Sequence, residues 1–424
     1  MSLINTLHVR EPWEALKAKT VPRHRSSIWY YMGGLALFFF MIQLVTGVLL
    51  LIYYRPIPEL AHESVKMIIE KVPFGELIRS IHSWSANALI AVVFIHMFSA
   101  FFMKSYRSPR TILWLSGVVL FVLILGFGFT GYLLPFDSTA YFATRIGTEI
   151  QRSFPIFGDL MVEILRGSKD VSGSTLIRLY ALHIAILPMV ALAFAAIHVA
   201  FTALIGSNLP PGVKVKSRIL FIPDYIMGES ILWLIGLAVL LTVAVLYPWG
   251  LGPAYDLAKP SEPPVGVHPE WYFMFLYQSL KYVPEWATVA FYALALIFWT
   301  IIPWLDRKPP NADEKALKSP LFTWIGILAI AGMAVLTTLA YISVGEERTK
   351  AATVEASLSP ITGVHLVDTV SKTTAQILKQ PADTNTWLWL TLAIIAFLSL
   401  VIFIVRSYLS KQNMNPTDNG QISP

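Results

Sequence analysis

His82-Ser-Trp-Ser-Ala-Asn-Ala-Leu-Ile-Ala-Val-Val-Phe-Ile-His96 decides the architecture of this chain, and His183-Ile-Ala-Ile-Leu-Pro-Met-Val-Ala-Leu-Ala-Phe-Ala-Ala-Ile-His198 repeats its message. Both stretches lie in segments apolar enough for lipid, where a polar ring must be satisfied or put to use. Along a helix a 14-residue step covers about 21 Å and returns to within about 40° of the same face. One helix then carries an imidazole near each membrane surface. Two such helices facing one another give two bis-imidazole sites stacked across a bilayer, each able to clamp a flat iron porphyrin. The second pair is 15 apart, about 60° off face. Pro188 stands between its two histidines, and a proline kink is expected to absorb part of the difference.

Composition agrees. Of 424 residues 55% are hydrophobic and 14% charged, whereas soluble domains carry about 25% charged residues. Apolar runs suited to spanning helices occur near 30–54, 85–103, 112–134, 180–205, 230–248, 287–305, 321–342 and 386–405. The expected fold class is therefore an all-α integral membrane protein of eight transmembrane helices, the first four forming a diheme four-helix bundle. The first 27 residues are polar and basic, with no cleavable signal. The chain has no cysteine, which excludes disulfides, cysteine-ligated iron–sulfur clusters and thioether-attached haem.

Charge sets the orientation. With eight spans, both termini share a side with the loops near 104–111, 206–229 and 306–320. That side holds 17 of the 32 Lys and Arg and 8 of the 26 Asp and Glu; the other holds 15 and 18. Positive charge marks the cytoplasm, so both termini are expected inside a multi-pass protein of the inner (cytoplasmic) membrane. The basic residues are spread over separate loops, so no nucleic-acid patch is expected.

Threading from the inside puts His82 and His183 at the outer level, as ligands of an outer haem iron. His96 and His198 fall at the inner level, as ligands of an inner one. Gly33 and Gly47, 14 apart, and Gly117 and Gly131, also 14 apart, fall at the same two levels. They read as Cβ-free surfaces for porphyrin edges, or as ordinary small-residue helix packing. Arg79 and Arg178 stand at the outer edge, where a guanidinium can fork onto a propionate or simply snorkel. His8, His24 and His62 lie in polar segments and are expected to be solvated; His365 falls in an outer loop. The chain divides into a cofactor-binding half, 1–220, and an accessory half, 221–424. Three outer loops are long, 55–80, 135–178 and 249–286, and half-apolar loops of that size tend to line a site.

Leu77-Ile-Arg-Ser-Ile-His82, Trp114-Leu-Ser-Gly117, Gly131-Tyr-Leu-Leu-Pro135, Ser174-Thr-Leu-Ile-Arg178 with His183, and Pro269-Glu-Trp-Tyr272 carry a family resemblance over nearly the whole length. The chain resembles cytochrome b, the haem subunit of the cytochrome bc and bf quinol-oxidising complexes. Its 15-residue histidine step and Leu165-Arg-Gly-Ser168 are bf-like, while fusion to a four-span second half is the bc arrangement.

The resemblance implies two non-covalent haem b groups with quinone and quinol as substrates. It implies a Rieske iron–sulfur protein and a c-type cytochrome subunit as partners, a homodimeric complex, and a proton-translocating quinol:cytochrome c, or plastocyanin-like acceptor, oxidoreductase. The bf type attaches an extra haem through a cysteine at the inner end of span one. Tyr31 stands in that neighbourhood here, so no covalently held haem is expected.

By the same resemblance Glu270 is the candidate proton acceptor for quinol at the outer pocket. Tyr132, Phe136, Tyr272 and Tyr277 would wall the ring or bond its hydroxyls. From its sequence position alone Glu270 could equally cap the helix it precedes. Glu229 aligns with an acidic residue of the inner quinone site, and Trp114 is placed near the inner propionates. A histidine that many bc members place after span four's last ligand is missing; Ala203 or its neighbours stand there. A diheme anchor relaying electrons for a hydrogenase or formate dehydrogenase is the rival reading, but it needs neither the Pro-Glu-Trp-Tyr loop nor a second helical half. A proton-relaying transporter would put acidic residues inside the spans, which are nearly free of them.

Overall fold

The computed structural model describes residues 17–154, 157–258, 262–308 and 318–358. Seven of its helical segments are long and apolar enough to cross a membrane. They contain α1 (Tyr31–Leu51), α3 (Gly75–Phe102), α4 (Thr111–Tyr132), α7 (Gly173–Ala181) continuing into α8 (Leu187–Ile205), α9 (Ile226–Leu246), α11 (Glu285–Leu305) and α12 (Pro320–Leu358). Shorter helices fill the connections: α2 (Pro58–Lys71), α5 (Ser138–Arg152), α6 (Gly158–Arg166) and α10 (Met274–Ser279). The expected span at 386–405, His8 and His365 lie outside the described residues.

α1 is apolar on all faces and carries no charge, as a lipid-facing span requires. It lies along α3, α4 lies along α8, and α9 closes over α1 and α3. Tyr31, Leu35, Phe39 and Phe40 interlock with Trp84, Leu89 and Val92 of α3 and with Leu232 and Leu240 of α9. α7 and α8 join through a single π-helical turn, Leu182–Ile186, closed by Leu187 N–H donating to the Leu182 carbonyl.

That turn corrects the expectation about Pro188. A π turn takes one more residue than an α turn, so a 15-residue step that includes one behaves as a 14-residue step. Pro188 has no N–H for the carbonyl four residues back, and the wider turn removes the need for it. The register itself shifts, where a kink had been expected.

Local chemistry explains the connecting helices. α2 opens on Pro58 with Glu59 in its first turn and Lys71 in its last, matching the helix dipole. The Asp137 carboxylate caps α5 by accepting from Ala140 N–H at 2.8 Å. α6 ends on Gly167 at φ 68°, the left-handed stop that glycine adopts without strain. Buried Arg166 donates to Thr148 Oγ1 (2.7 Å), Glu149 (3.0 Å) and the Lys169 and Arg145 carbonyls, fastening α6 to α5.

The segment after α9 folds back over this loop-rich face. Trp84 Nε1 donates to the Tyr247 carbonyl, Trp249 N–H to Ser80 Oγ, and Gly252 N–H to the Asp137 carboxylate. His62 is drawn into the same stitching, its Nε2 donating to the Gly252 carbonyl at 2.8 Å.

The opposite face carries the two-stranded antiparallel ribbon of β1 (Thr20–Arg23) and β2 (Ser217–Leu220). Here His24 is 6% exposed, its ring nitrogen 2.7 Å from the Tyr30 hydroxyl. Both histidines had been expected in solvent, but each found a partner on a chain segment distant or folded-back enough to be invisible locally. On this face too, Tyr106, Arg107 and Ser319 converge on the buried carboxylate of Asp306. Burial pushes that carboxyl up, but the three donors outweigh it and hold the group below the usual range.

Candidate functional site

The bundle brings the four histidines together two by two. His82 of α3 and His183 of the π turn face each other with ring centres 6.5 Å apart and planes at 74°. His96 and His198 do so at 6.4 Å and 78°. A metal bridging two imidazoles through bonds of about 2 Å holds their ring centres roughly 6–6.5 Å apart. No group of three or more His, Asp or Glu able to hold a bare ion occurs among the described residues. His82 with His183, and His96 with His198, would therefore each hold an iron that brings its remaining ligands with it. The residues fit haem.

The ring orientation is fixed from behind. Thr46 Oγ1 donates to the Ile42 carbonyl (2.7 Å) and lies 2.9 Å from His82 Nδ1. Its proton is committed, so it accepts from Nδ1–H and leaves the Nε2 lone pair free. Thr130 does the same, donating to Gly126 O and standing 3.1 Å from His183 Nδ1. Ser116 donates to Leu113 O and stands 3.0 Å from His198 Nδ1. Sequence reading missed all three. The signal was a hydroxyl residue immediately before a glycine: Thr46-Gly47, Ser116-Gly117, Thr130-Gly131.

The glycines lie at their expected levels, but what they face is imidazole. A Cβ on Gly33 would stand 3.1 Å from His96 Cε1, on Gly47 3.4 Å from His82, on Gly117 3.2 Å from His198, and on Gly131 2.6 Å from His183. Each glycine lets the Cε1 edge of an imidazole on the neighbouring helix approach its backbone closely. Graded tolerance follows. Gly131→Ala is expected to displace His183 and cut occupancy of one b-type spectral component several-fold, whereas Gly47→Ala, at ordinary contact distance, leaves it near wild type. Equal effects in the reduced-minus-oxidised spectra would contradict this geometry.

Both arginines are engaged with the loop-rich face. Arg79 is buried and donates to the carbonyls of Trp249 and Gly250. Arg178 donates to those of Glu163 (3.0 Å) and Ile164 (2.7 Å). These bonds use some of each guanidinium's five donors. The Trp114 indole N–H donates to the Trp299 carbonyl at 2.8 Å, and its ring packs with Phe101 and Tyr106.

The Pro-Glu-Trp-Tyr segment plugs into the bundle. Trp271 Nε1 donates to Asn87 Oδ1 of α3 (2.8 Å), and the Tyr272 hydroxyl lies over Gly128, where a Cβ would stand 2.6 Å away. Glu270 precedes a short helical turn, Trp271–Phe273, but its side chain caps nothing. Burial instead raises its carboxyl to about 7. Tyr132, Tyr272 and Tyr341 stand within electrostatic reach of it. Tyr341 also meets His268 ring to ring at 6.0 Å, and it was absent from the sequence reading because α12 arrives from far along the chain. Tyr277 points elsewhere, packing on Met274 and Val344 with Lys281 Nζ 5.4 Å over its ring. Phe136 is wholly buried among Leu133, Tyr141 and Tyr255.

On the basic face Glu229 is 6% exposed and accepts from Trp233 Nε1 at 3.2 Å. Gly34 makes room for its carboxylate. Tyr31 stacks on Tyr225 with ring centres 4.7 Å apart. Beside Ala203, the cation present is Lys19, whose Nζ donates to the Ala203 carbonyl at 2.8 Å.

Comparison with known proteins agrees in scale and position. Residues 16–206 match the family model described as Cytochrome b/b6/petB, and 257–358 that described as Cytochrome b(C-terminal)/b6/petD. The chain is 45% identical over 334 residues to the cytochrome bc complex cytochrome b subunit of Chlorobaculum thiosulfatiphilum, covering 77% of this chain and 76% of that one. It is 44% identical over 185 residues to cytochrome b6 of Heliobacterium mobile, 44% of this chain and 87% of that one. Among solved structures, a chain of a hyperthermophilic respiratory Complex III superposes with a TM-score of 0.68 at 29% identity, over 80% of this chain and 90% of the other.

Proposed function

The chain belongs to the cytochrome b family, and from that premise we propose that it is the quinol-oxidising, proton-translocating membrane subunit of a bc-type complex. The observation that carries the proposal is the pairing of four imidazoles at two levels of one bundle, with ring separations that would admit one iron between each pair. Haem b held by His82 with His183 and by His96 with His198 supplies a one-electron path between the membrane faces. The rest is work for the chain's own side chains.

Quinol is oxidised at the loop-rich, outer face. Glu270, its carboxyl raised to about 7 by burial, takes a proton from a quinol hydroxyl. Tyr132 and Tyr272 position that hydroxyl, and Trp271, anchored on Asn87, fixes the loop that presents the acid. The two electrons part, one to a Rieske iron–sulfur partner and onward to a c-type cytochrome, the other to the inner face. Quinone is reduced there near Glu229, which Tyr31, Tyr225 and Trp233 enclose. Protons leave outside and enter inside. The basic face is cytoplasmic by the distribution of lysine and arginine. Arg79 and Arg178 retain donors for propionates, and the complex is a homodimer.

Redox titration of the purified complex is expected to resolve two b-type components of different potential, alongside quinol:cytochrome c reductase activity. A single component, or two that quinol cannot reduce, would end the proposal. Tyr31 leaves no thiol at the inner end of α1. A denaturing gel is accordingly expected to show no haem stain at this subunit, and a stain that persists would contradict the non-covalent assignment.

A further inference from the structure

Three of the four paired imidazoles are backed by a hydroxyl oxygen at Nδ1, and the fourth is not. Thr46, Thr130 and Ser116 stand 2.9, 3.1 and 3.0 Å from the Nδ1 atoms of His82, His183 and His198. His96 Nδ1 is buried and has no hydrogen-bond partner among the described residues. The cause is legible in register. α1 and α3 run antiparallel, so moving 14 residues back along α1 and 14 forward along α3 carries Thr46-Gly47 and His82 onto Met32-Gly33 and His96. Gly33 still receives the ring, with a Cβ position 3.1 Å from His96 Cε1. At the position of the hydroxyl stands Met32, buried at 4% exposure, whose thioether is a weak acceptor at best.

We propose that this asymmetry sets the order of the two redox potentials, with Thr46 and Thr130 depressing the outer one and Met32, by withholding an acceptor from His96, leaving the inner one higher. The inference rests on the reading of the four histidines as haem ligands. An acceptor on Nδ1–H makes the imidazole a more basic ligand at Nε2, and a more basic axial ligand favours the ferric over the ferrous iron. The outer pair has two hydroxyl acceptors and the inner pair one, while one ring of each pair, His183 and His198, also bonds a backbone carbonyl, of Phe127 and of Leu113. An electron entering at the outer level therefore runs downhill to the inner level, away from the site where quinol is oxidised. Thr46, Thr130, Ser116 and Met32 are positioning residues: they touch neither iron nor substrate, and act through the rings they hold or fail to hold.

The test is a potentiometric titration of the purified, fully assembled complex, read from the two b-type absorbance components. Met32→Thr places the missing hydroxyl, and Met32→Val fills the same volume without it. Relative to Met32→Val, Met32→Thr is expected to lower the inner component alone. A hydrogen-bond partner behind a metal-ligating imidazole is typically worth 10–100-fold in metal affinity or activity; a tenfold shift in ferric over ferrous preference would read as 59 mV for a one-electron couple. Thr46→Val and Thr130→Val are each expected to raise the outer component, with Thr→Ser at either position restoring it. Coincident inner potentials for the two Met32 variants, or unmoved outer potentials in both valine variants, overturn the inference while two b components still stand. If Met32 variants lose haem, the Thr46 and Thr130 series decides alone. Absence of two b components in the wild-type complex would instead overturn the haem reading beneath it.

Discussion

Leucine at position 183 is expected to abolish one b-type component and leave the other. His82 and His183 face each other with ring centres 6.5 Å apart, and no third ligating side chain joins them among the described residues. Leucine supplies no ligand and fills the space against Gly131 that the imidazole occupied. The loss should exceed the 10–100-fold typical of removing only a hydrogen-bond partner behind a metal ligand. Quinol-dependent reduction at the inner level should fall by at least about 10²-fold with it. His82→Leu should reproduce the same spectrum, and the double variant should be no worse, because the two residues act as one unit. His96→Leu should remove the other component. A His183→Leu complex that keeps both components would show that the outer pairing is wrong, and with it the two-level arrangement.

Much of this site was legible because helix geometry is rigid. A 14-residue step returns a side chain to its face whatever surrounds it, so His82 and His96, with Gly33, Gly47, Gly117 and Gly131, could be placed by level from the chain alone. The 15-residue step between His183 and His198 marks where that rigidity gives way. Its extra residue is absorbed in the π turn Leu182–Ile186, and no periodicity announces a change of hydrogen-bond register. Contacts made by returning loops were equally hidden. Arg79 reaches carbonyls about 170 residues away, at Trp249 and Gly250, and Trp114 spends its donor on Trp299. Tyr277 packs against α12, the helix that also brings Tyr341 towards Glu270, and that helix arrives from far along the chain. Residue type announces what a side chain can do; only packing decides to whom it does it. The hydroxyls of Thr46, Ser116 and Thr130 fall between these cases. Their spacing beside glycine was visible, but their meaning needed the rings in place.

Glu270→Gln is expected to lower quinol turnover by about 10²-fold or more, the usual worth of a positioned general base, with little change in KM. Two observations separate this acid from an ordinary helix-capping one. Its side chain caps no backbone N–H of the turn that follows, and burial among tyrosines and tryptophan lifts its carboxyl from the usual range to about 7. The sign of the pH effect follows. A raised value means that the fold favours the protonated acid, so below about 7 the group already holds a proton and cannot take quinol's. Turnover should therefore rise as pH climbs through about 7 and level off above it. Glutamine, which neither binds nor releases that proton, should flatten this limb as well as lower it. Asp at 270 keeps the acid but draws it back by one methylene, and should recover part of the rate with the limb intact. A glutamine variant with wild-type turnover and an unchanged pH profile would remove Glu270 from the proton path and leave Trp271 and Tyr272 as packing for a loop whose acid serves nothing.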